Sequence, residues 1–177
     1  MKNLDQALTL MFLALGMVLL VSMKSQSETL SLSKNESQLR NDFKSIQKAM
    51  FHGLNLRGAT FYLSRINEGD FSEAQLPESQ FRASSIQGAN FISANLISSD
   101  FSAARAASAS FFKSNLIGCK CNSADFFATD FREAHLESAD FSNSVVAMAH
   151  FEGAFFNSFT KLPFSRSEAF RRGMIFK

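Results

Sequence analysis

An apolar residue returns at every fifth position through the middle of this chain, and this strict period is the strongest constraint on its fold. The series has 21 members without a gap, 11 of them Phe. Two residues before each member stands a second residue, which is small at every position except Leu54. An α-helix repeats every 3.6 residues and a strand every two, so neither explains a period of five. A short fixed repeat predicts a solenoid, in which each coil buries its face on the next.

Several of these units read Ala, then Asp or Asn, then Phe or Leu. The clearest are Ala89-Asn90-Phe91, Ala94-Asn95-Leu96, Ala124-Asp125-Phe126 and Ala139-Asp140-Phe141. This pattern resembles the pentapeptide-repeat family over residues 54–157, about 104 of the 177 residues. The resemblance implies an all-β fold, a right-handed quadrilateral β-helix of about five coils with four units in each. It implies little about function, because members of the family differ widely in what they do.

A 20-residue coil is also indicated by how the central residues sort. Every fourth member of the series falls on the same side, and each side has its own preference: Leu on the first and Phe on the second and fourth. Residues 20 apart should therefore be stacked neighbours, which would place Lys120 between Asp100 and Asp140, Arg105 over Asp125, and Asp130 under His150. Two members, Ala106 and Cys121, are smaller than their column, and we expect Phe126 to help fill the space that Ala106 leaves.

The N-terminal segment predicts export or membrane anchoring. Residues 7–23 are almost all apolar, with Lys2 before them and Lys24 after them. Seventeen apolar residues fit both the core of a signal peptide and a minimal spanning helix, and Ser25-Gln26-Ser27 offers a small-x-small cleavage site. Residues 1–27 are therefore interpreted as a signal peptide or a membrane anchor. Both interpretations predict an exported protein, periplasmic or secreted, and leave contact with a membrane open.

Residues 28–53 are predicted to be a Ser-rich tether followed by a capping helix. Leu39, Phe43, Ile46 and Met50 recur at helical spacing, so residues 36–51 should form an amphipathic helix over the first coil. Gly53 is placed to end that helix. The alternative is a helix that lies on a membrane surface. It is less favoured because an uncovered solenoid end would expose backbone edges.

Residues 158–177 are predicted to be the C-terminal cap, because the period of five fails after Asn157. Ser165-Arg166-Ser167-Glu168 has the spacing of a capping box, and Gly173 could stop a short helix. The segment is basic, with 5 Lys and Arg against 1 Glu. A solvated cap face explains this charge, and the alternative is binding to an anionic surface.

Charge limits the classes of partner. Residues 54–157 hold 7 Lys and Arg and 11 Asp and Glu, so the repeat region carries a net charge of −4 with both signs mixed. A mildly acidic rod argues against direct binding of nucleic acid. Some pentapeptide-repeat proteins mimic DNA and bind type II topoisomerases through a strongly acidic rod. A topoisomerase-binding, gyrase-protecting protein is therefore the alternative to the favoured function, an exported structural or protein-interaction module.

The sequence predicts no catalytic, metal or cofactor site and no small-molecule substrate. His52, His135 and His150 are expected on different parts of the fold, with no spacing typical of a triad or a metal site. Cys119 and Cys121 occupy inward positions, which favours packing over metal binding or redox chemistry. We therefore predict a protein that is not an enzyme.

A candidate interaction patch follows from the residue after the central one, which is usually polar. It is apolar at four neighbouring places: Ile92 and Phe112 on the fourth side and Ile97 and Ile117 on the first. These four side chains should meet around one corner of the coil, and Phe127, one side away, would extend the patch. Clustered exposed apolar residues mark a contact surface, so we expect a protein partner or self-association there. The alternative is that the tether or the cap folds back over the patch.

Overall fold

The computed structural model describes residues 48–177. The predicted signal or anchor segment, the tether, and Leu39, Phe43 and Ile46 lie outside the described residues. In the region that is described, parallel β-bridges occur at every fifth residue from Met50 to Asp140. Each bridge joins the residue just before a central residue to its counterpart on the adjacent coil, and all but the last connect positions that are four units apart. The chain therefore forms a β-helix in which four repeat units make one coil.

The interior is filled by the two series identified in the sequence. Central residues from Leu56 to Phe156 are buried, and so are the small residues that precede them by two, whereas Leu54 is only partly buried. A Cβ atom on Gly69 would lie 2.8 Å from Ile66 Cγ2, so a larger residue there would require the Ile66 side chain to shift. Among residues 48–177, five of the six inward Ser hydroxyls donate to a nearby carbonyl oxygen, and the sixth, Ser79 Oγ, is buried without a hydrogen-bond partner. Ser84 Oγ, for example, donates to the carbonyl oxygen of Phe81 at 2.7 Å.

Phe rings on the second and fourth sides form a continuous aromatic stack. On the fourth side Phe71 and Phe91 lie 4.7 Å apart and nearly parallel, which matches the spacing of adjacent strands. Rings of the two sides meet edge to face across the interior, as Phe81 and Phe91 do at 5.5 Å. Both arrangements are favourable for aromatic pairs. The stack therefore ties successive coils together and ties opposite sides of one coil together.

Phe126 repairs this stack where Cys121 interrupts it. Although Phe126 belongs to the third side, its ring makes edge contacts with Phe111 at 6.0 Å and with Phe131 at 5.2 Å. These are the two rings that a Phe at position 121 would be expected to meet. The sequence predicts that Phe126 fills space left by Ala106. The contacts show that it takes the aromatic place that Cys121 leaves empty in its own coil.

The repeat register begins earlier than predicted. Phe51 is buried and its ring stacks on Phe71 at 4.7 Å, while Met50 forms a bridge with Asp70 and is exposed. The predicted helix over 36–51 is therefore wrong for its last residues, which belong to the β-helix. Gly53 does not end a helix but adopts a left-handed turn with φ of 65°. The rest of the predicted helix lies outside the described residues.

The C-terminal segment contains the only regular elements of residues 48–177. These are strand β1 at Phe155–Phe156, helix α1 at Arg166–Arg171 and strand β2 at Ile175–Phe176, which pairs in parallel with β1. Ser165 caps α1 as predicted, accepting a hydrogen bond from the Glu168 N–H. No helix in this described part of the chain is long and apolar enough to span a bilayer.

The cap is attached through a shift of one residue. The bridge between Asp140 and Lys161 joins residues that are 21 apart in the chain, one more than in the bridges before it. β1 and β2 nevertheless pair with the usual separation of 20 residues. Between them the chain crosses the end of the rod, where Ala169 is buried. Phe164 packs edge to face on Phe151 at 5.6 Å. Aromatic side chains of the cap therefore continue the interior stack onto the last coil.

Candidate interaction surface

The outer face of each unit is organised by a turn that uses the polar residue before the central one. Its side-chain oxygen accepts a hydrogen bond from the N–H two residues later, as in Asp100 to Ser102 at 2.8 Å and Asp125 to Phe127 at 3.0 Å. Asp and Asn favour such turns because their short side chains reach this N–H. Many outward carboxylates are therefore directed at the backbone.

This turn explains why the predicted cross-coil charge pairs stack without forming ion pairs. Lys120 is bridged to both Asp100 and Asp140, as predicted. Within residues 48–177, however, the Lys120 ammonium forms no ion pair with a carboxylate. Asp130 pairs instead with Arg132 in its own turn, at 2.8 Å. These Asp side chains therefore hold their own turns, whereas ion pairs between neighbouring coils are formed by other residues, such as Arg57 with Glu78 and Lys113 with Glu133.

The four apolar residues of the predicted patch lie on two adjacent coils. The Ser93 N–H donates to the carbonyl oxygen of Phe112, and the Ser98 N–H donates to that of Ile117, each at 2.9 Å. These bonds place Phe112 beside Ile92 and Ile117 beside Ile97 on successive coils. Ile92 is 37% exposed, and the others are half-buried. The structure thus brings each predicted pair together on adjacent coils.

Phe112 lies near two cations. Lys113 Nζ is 4.9 Å from the centre of its ring, and the Arg132 guanidinium, on the next coil, is 5.7 Å away. Cations at such distances are attracted to the ring face. Lys113 Nζ also lies 3.6 Å from Glu133 Oε2, on the adjacent coil. The patch therefore has a basic border on its fourth side.

The first side of the patch has an acidic border that the sequence analysis missed. The Gly118 N–H donates to the Glu137 carbonyl oxygen at 3.0 Å, so Glu137 follows Ile97 and Ile117 in the same outward column. Its carboxylate lies 3.2 Å from His135 Nδ1 and 3.7 Å from Lys177 Nζ. Glu137 lies 20 residues after Ile117, so its place in this column could have been predicted from the sequence. Its contact with Lys177 could not, because that contact depends on the fold of the cap.

Phe127 lies one side of the coil away from Ile92 and Phe112. It follows Phe126 of the third side, and its carbonyl oxygen accepts from the Ser108 N–H at 2.8 Å. The side chain is 43% exposed. Phe127 is therefore an exposed apolar residue on a different side of the coil.

The His side chains are distributed along the rod and not gathered. His52 Nδ1 lies 2.9 Å from Ser72 Oγ, and Ser72 donates to Asp70 Oδ1 at 2.6 Å. In a hydrolytic triad the carboxylate would orient the His, and the His would accept the Ser proton. Here the carboxylate accepts the Ser proton itself. Partial burial acts to raise the pKa of Asp70, but the hydrogen bonds from Ser72 outweigh it and the pKa is lowered.

The two Cys side chains are packing elements of the interior. Cys119 Sγ donates to the Leu96 carbonyl oxygen at 2.9 Å and lies 3.3 Å from Ser99 Oγ. Burial raises the pKa of the Cys119 thiol to about 12 and also raises the pKa of the Cys121 thiol, so neither is a reactive thiolate at neutral pH. Across residues 48–177, no three His, Cys, Asp or Glu side chains are arranged to hold a metal ion.

Comparison with known proteins agrees with this architecture. The family model described as pentapeptide repeats matches in 8 copies, over residues 67–102, 109–145 and 119–157. The chain is a pentapeptide-repeat protein. Proteins of this family form right-handed β-helices. No match was found among curated proteins.

Solved structures of other pentapeptide-repeat proteins are similar to this one. Rfr23 from the cyanobacterium Cyanothece 51142 is 16% identical with a TM-score of 0.51, and the match covers 74% of this chain and 99% of that one. For alr5209 from Nostoc Pcc 7120 the identity is 25%, the TM-score 0.46 and the coverage 61% and 84%. For full-length QnrB1, a plasmid-mediated fluoroquinolone resistance protein, these values are 16%, 0.37, 64% and 74%. The first of these similarities supports the fold and does not bear on function.

Proposed function

We propose that this pentapeptide-repeat protein is a non-catalytic, exported protein-interaction module built on a right-handed quadrilateral rod of about five coils. The observation that carries the proposal is the two apolar pairs on adjacent coils, Ile92 with Phe112 and Ile97 with Ile117, and we call these four residues the corner patch. It presents apolar side chains at positions that are mostly polar elsewhere on the rod. Apolar side chains clustered on an otherwise polar surface are typical of contact sites.

The border of the corner patch indicates the chemistry of its partner. Phe112 offers an aromatic face next to Lys113 and Arg132, and aromatic and Arg side chains are the residues that most often dominate binding energy. The best fit is a protein surface with an apolar anchor and a carboxylate beside it. A second copy of the chain is the other candidate partner, through the same patch.

Export is proposed from residues 7–23, whose apolar run is typical of a signal peptide or an anchor. Fractionation of cells that express the full chain tests this part, with mass spectrometry of the N-terminus to detect cleavage. A chain found in the cytoplasm that protects gyrase from inhibitors would contradict export and would favour the topoisomerase-binding alternative.

The corner patch can be tested with site-specific photo-crosslinking in the full chain. A photoreactive phenylalanine analogue at position 97 should give a discrete crosslinked product, and the product should disappear when Phe112→Ser is added. The matched control places the analogue at Asn122, an outward position on the second side. If positions 97 and 122 crosslink alike, the corner patch is not the interface.

A further inference from the structure

The C-terminal end of the rod leaves apolar side chains in solvent. Phe170 and Phe176 both contact the buried ring of Phe156, at 5.7 and 5.3 Å, but remain 53% and 42% exposed. Ile175 is also exposed, and Phe159, in the turn just after β1, is 75% exposed. The core beneath them is already covered, since Phe156 and Ala169 are buried. These exposed side chains are therefore not needed to close the interior, and we call them the end face.

One cation lies against a ring of the end face, and other cations of the cap are paired with carboxylates. The Arg166 guanidinium lies 4.8 Å from the centre of the Phe176 ring and forms no ion pair among residues 48–177. Arg171 pairs with Glu168 at 2.6 Å and Lys161 pairs with Asp140 at 2.9 Å. Both cations are mostly exposed, so their positive charge also acts on an anionic surface that approaches the cap.

The repeat region and the C-terminal cap carry opposite net charges. Residues 158–177 carry a net charge of +4, while residues 54–157 carry −4. An anionic surface would attract the end face and repel the sides, within a range of roughly 10 Å at ordinary salt. Charge alone would therefore orient the rod with its C-terminal end toward such a surface.

We propose that the end face docks on an anionic lipid bilayer, with Phe159, Phe170 and Phe176 at the headgroup level and Arg166 near the lipid phosphates. Phe side chains of surface-bound elements enter the boundary between headgroups and acyl chains, and Lys and Arg are attracted to an anionic leaflet. Nucleic acid fits less well, because it requires a track of unpaired cations, and Arg166 is the only cap cation without an ion pair among the described residues.

The predicted N-terminal segment is compatible with this docking. If residues 7–23 reach a membrane, residues 24–47 can span at most roughly 80 Å when extended. The rod itself is only about 25 Å long, at the strand spacing of five coils. A chain anchored at its N-terminus is therefore long enough for the opposite end of the rod to touch the same membrane.

The test is a fluorescence measurement on the full chain in lipid nanodiscs. Because Cys119 and Cys121 are buried, Phe159→Cys provides one reactive thiol for an environment-sensitive dye. Ser142→Cys, on the outward face of the second side, is the matched control. We expect a blue shift of the dye at position 159 in discs that contain phosphatidylglycerol, loss of that shift in discs of phosphatidylcholine alone, and no shift at position 142 in either.

Charge reversal provides the second measurement. Arg166→Glu with Arg171→Glu should abolish the shift at position 159, whereas Arg105→Glu with Lys120→Glu, the same change of charge on the rod, should preserve it. Circular dichroism confirms folding, and if the cap variant unfolds, about 0.5 M NaCl applied to the unchanged chain should abolish the shift instead.

Three outcomes would overturn the proposal. The first is an equal signal in neutral and anionic discs. The second is a blue shift that needs no lipid and grows with protein concentration, which would assign the end face to a second copy. The third is a shift produced by single-stranded DNA and not by anionic discs.

Discussion

At the scale of single residues, the β-helix depends on one turn position in each unit, two residues after the central one. This position has a left-handed backbone, and 17 non-glycine residues adopt it with φ between 53° and 62°. They include Glu, Ser, Ala, Lys, Leu, Asn and Met, and none is β-branched. A β-branched side chain is strained at positive φ, since its second γ atom crowds the backbone. The residue types found at this position are therefore limited by side-chain shape and not by charge or polarity.

Ser123, an exposed residue with φ of 59°, allows this rule to be tested. Ser123→Val should lower the free energy of unfolding by about 1–2 kcal/mol, because the strain of a left-handed residue falls on a β-branched side chain. Ser123→Gly relieves the strain and should change stability by less than about 1 kcal/mol. Urea unfolding of both variants gives the comparison. Equal midpoints for Val and Gly would show that the turn relaxes and that the rule is wrong.

At the scale of elements, the interior behaves as one aromatic stack and not as four independent columns. The rings of Phe111 and Phe131 lie 5.2 Å apart, wider than the 4.8 Å between Phe91 and Phe111. Phe131 and Phe151 are also 5.2 Å apart, so the wider spacing begins at the coil where Phe126 enters from the third side and continues to the last coil. Positions 121 and 126 therefore share one volume, and the residue at one determines what fits at the other.

A double-mutant cycle on these two positions tests the shared volume. Cys121→Phe alone should overpack the coil and cost about 1–3 kcal/mol. Phe126→Ile alone should also destabilise the fold, because it leaves a gap between Phe111 and Phe131. The double variant restores the ordinary pattern of Phe on the second side and Ile on the third. Its free energy of unfolding should exceed the value expected from adding the two single effects by about 0.5–3 kcal/mol. Additive losses in urea unfolding would contradict a shared volume.

Much of this element was predictable from the sequence, and the exceptions have physical causes. The 20-residue period assigns each outward residue to one side of the coil, including the pairs of the corner patch. It can do so because successive coils follow the same backbone path. Ala49-Met50-Phe51 fits the same period, so the early start could also have been predicted. The path of the Phe126 ring could not, because periodicity assigns a position to a side and does not give the direction of a ring. Nor does the sequence show that Asp125 turns to the backbone and not to Arg105.

At the scale of the whole molecule, the joint between rod and cap rests partly on one charge pair. Asp140 Oδ1 accepts from the Ser142 N–H, and Asp140 Oδ2 accepts from Lys161 Nζ, both at 2.9 Å. Hydrogen bonding by Ser142 and then by Lys161 lowers the pKa of Asp140 to about 2. Because this pKa lies below the ordinary value of 3.8, the contribution to stability is complete above about pH 4. It is lost as the pH falls through 2.

Asp140→Asn should therefore destabilise the protein at pH 7, and the difference from the unchanged chain should shrink as the pH falls from 4 to 2. An Asn side chain keeps an oxygen for the Ser142 N–H, so the variant isolates the charge. Lys161→Met is the matched change on the other partner. The difference in stability between this variant and the unchanged chain should also shrink as the pH falls from 4 to 2. Urea unfolding at pH 7, 4 and 2 measures it. A constant difference at all three values would show that the pair does not hold the cap.

The regularity of the rod also creates ambiguity during folding. A chain that loops out one whole coil would still align Leu56 with Leu96 and Phe71 with Phe111, so translated alignments compete with the native one. The irregular places break this degeneracy: a chain slipped by one coil would place Phe126 over Ile86 and not over the smaller Ala106. The extra position before Lys161 likewise pins the final coil to a single place. The irregular sites in the repeat thus lower the free energy of the native alignment below that of the shifted alignments. A funnel-shaped energy landscape requires this difference.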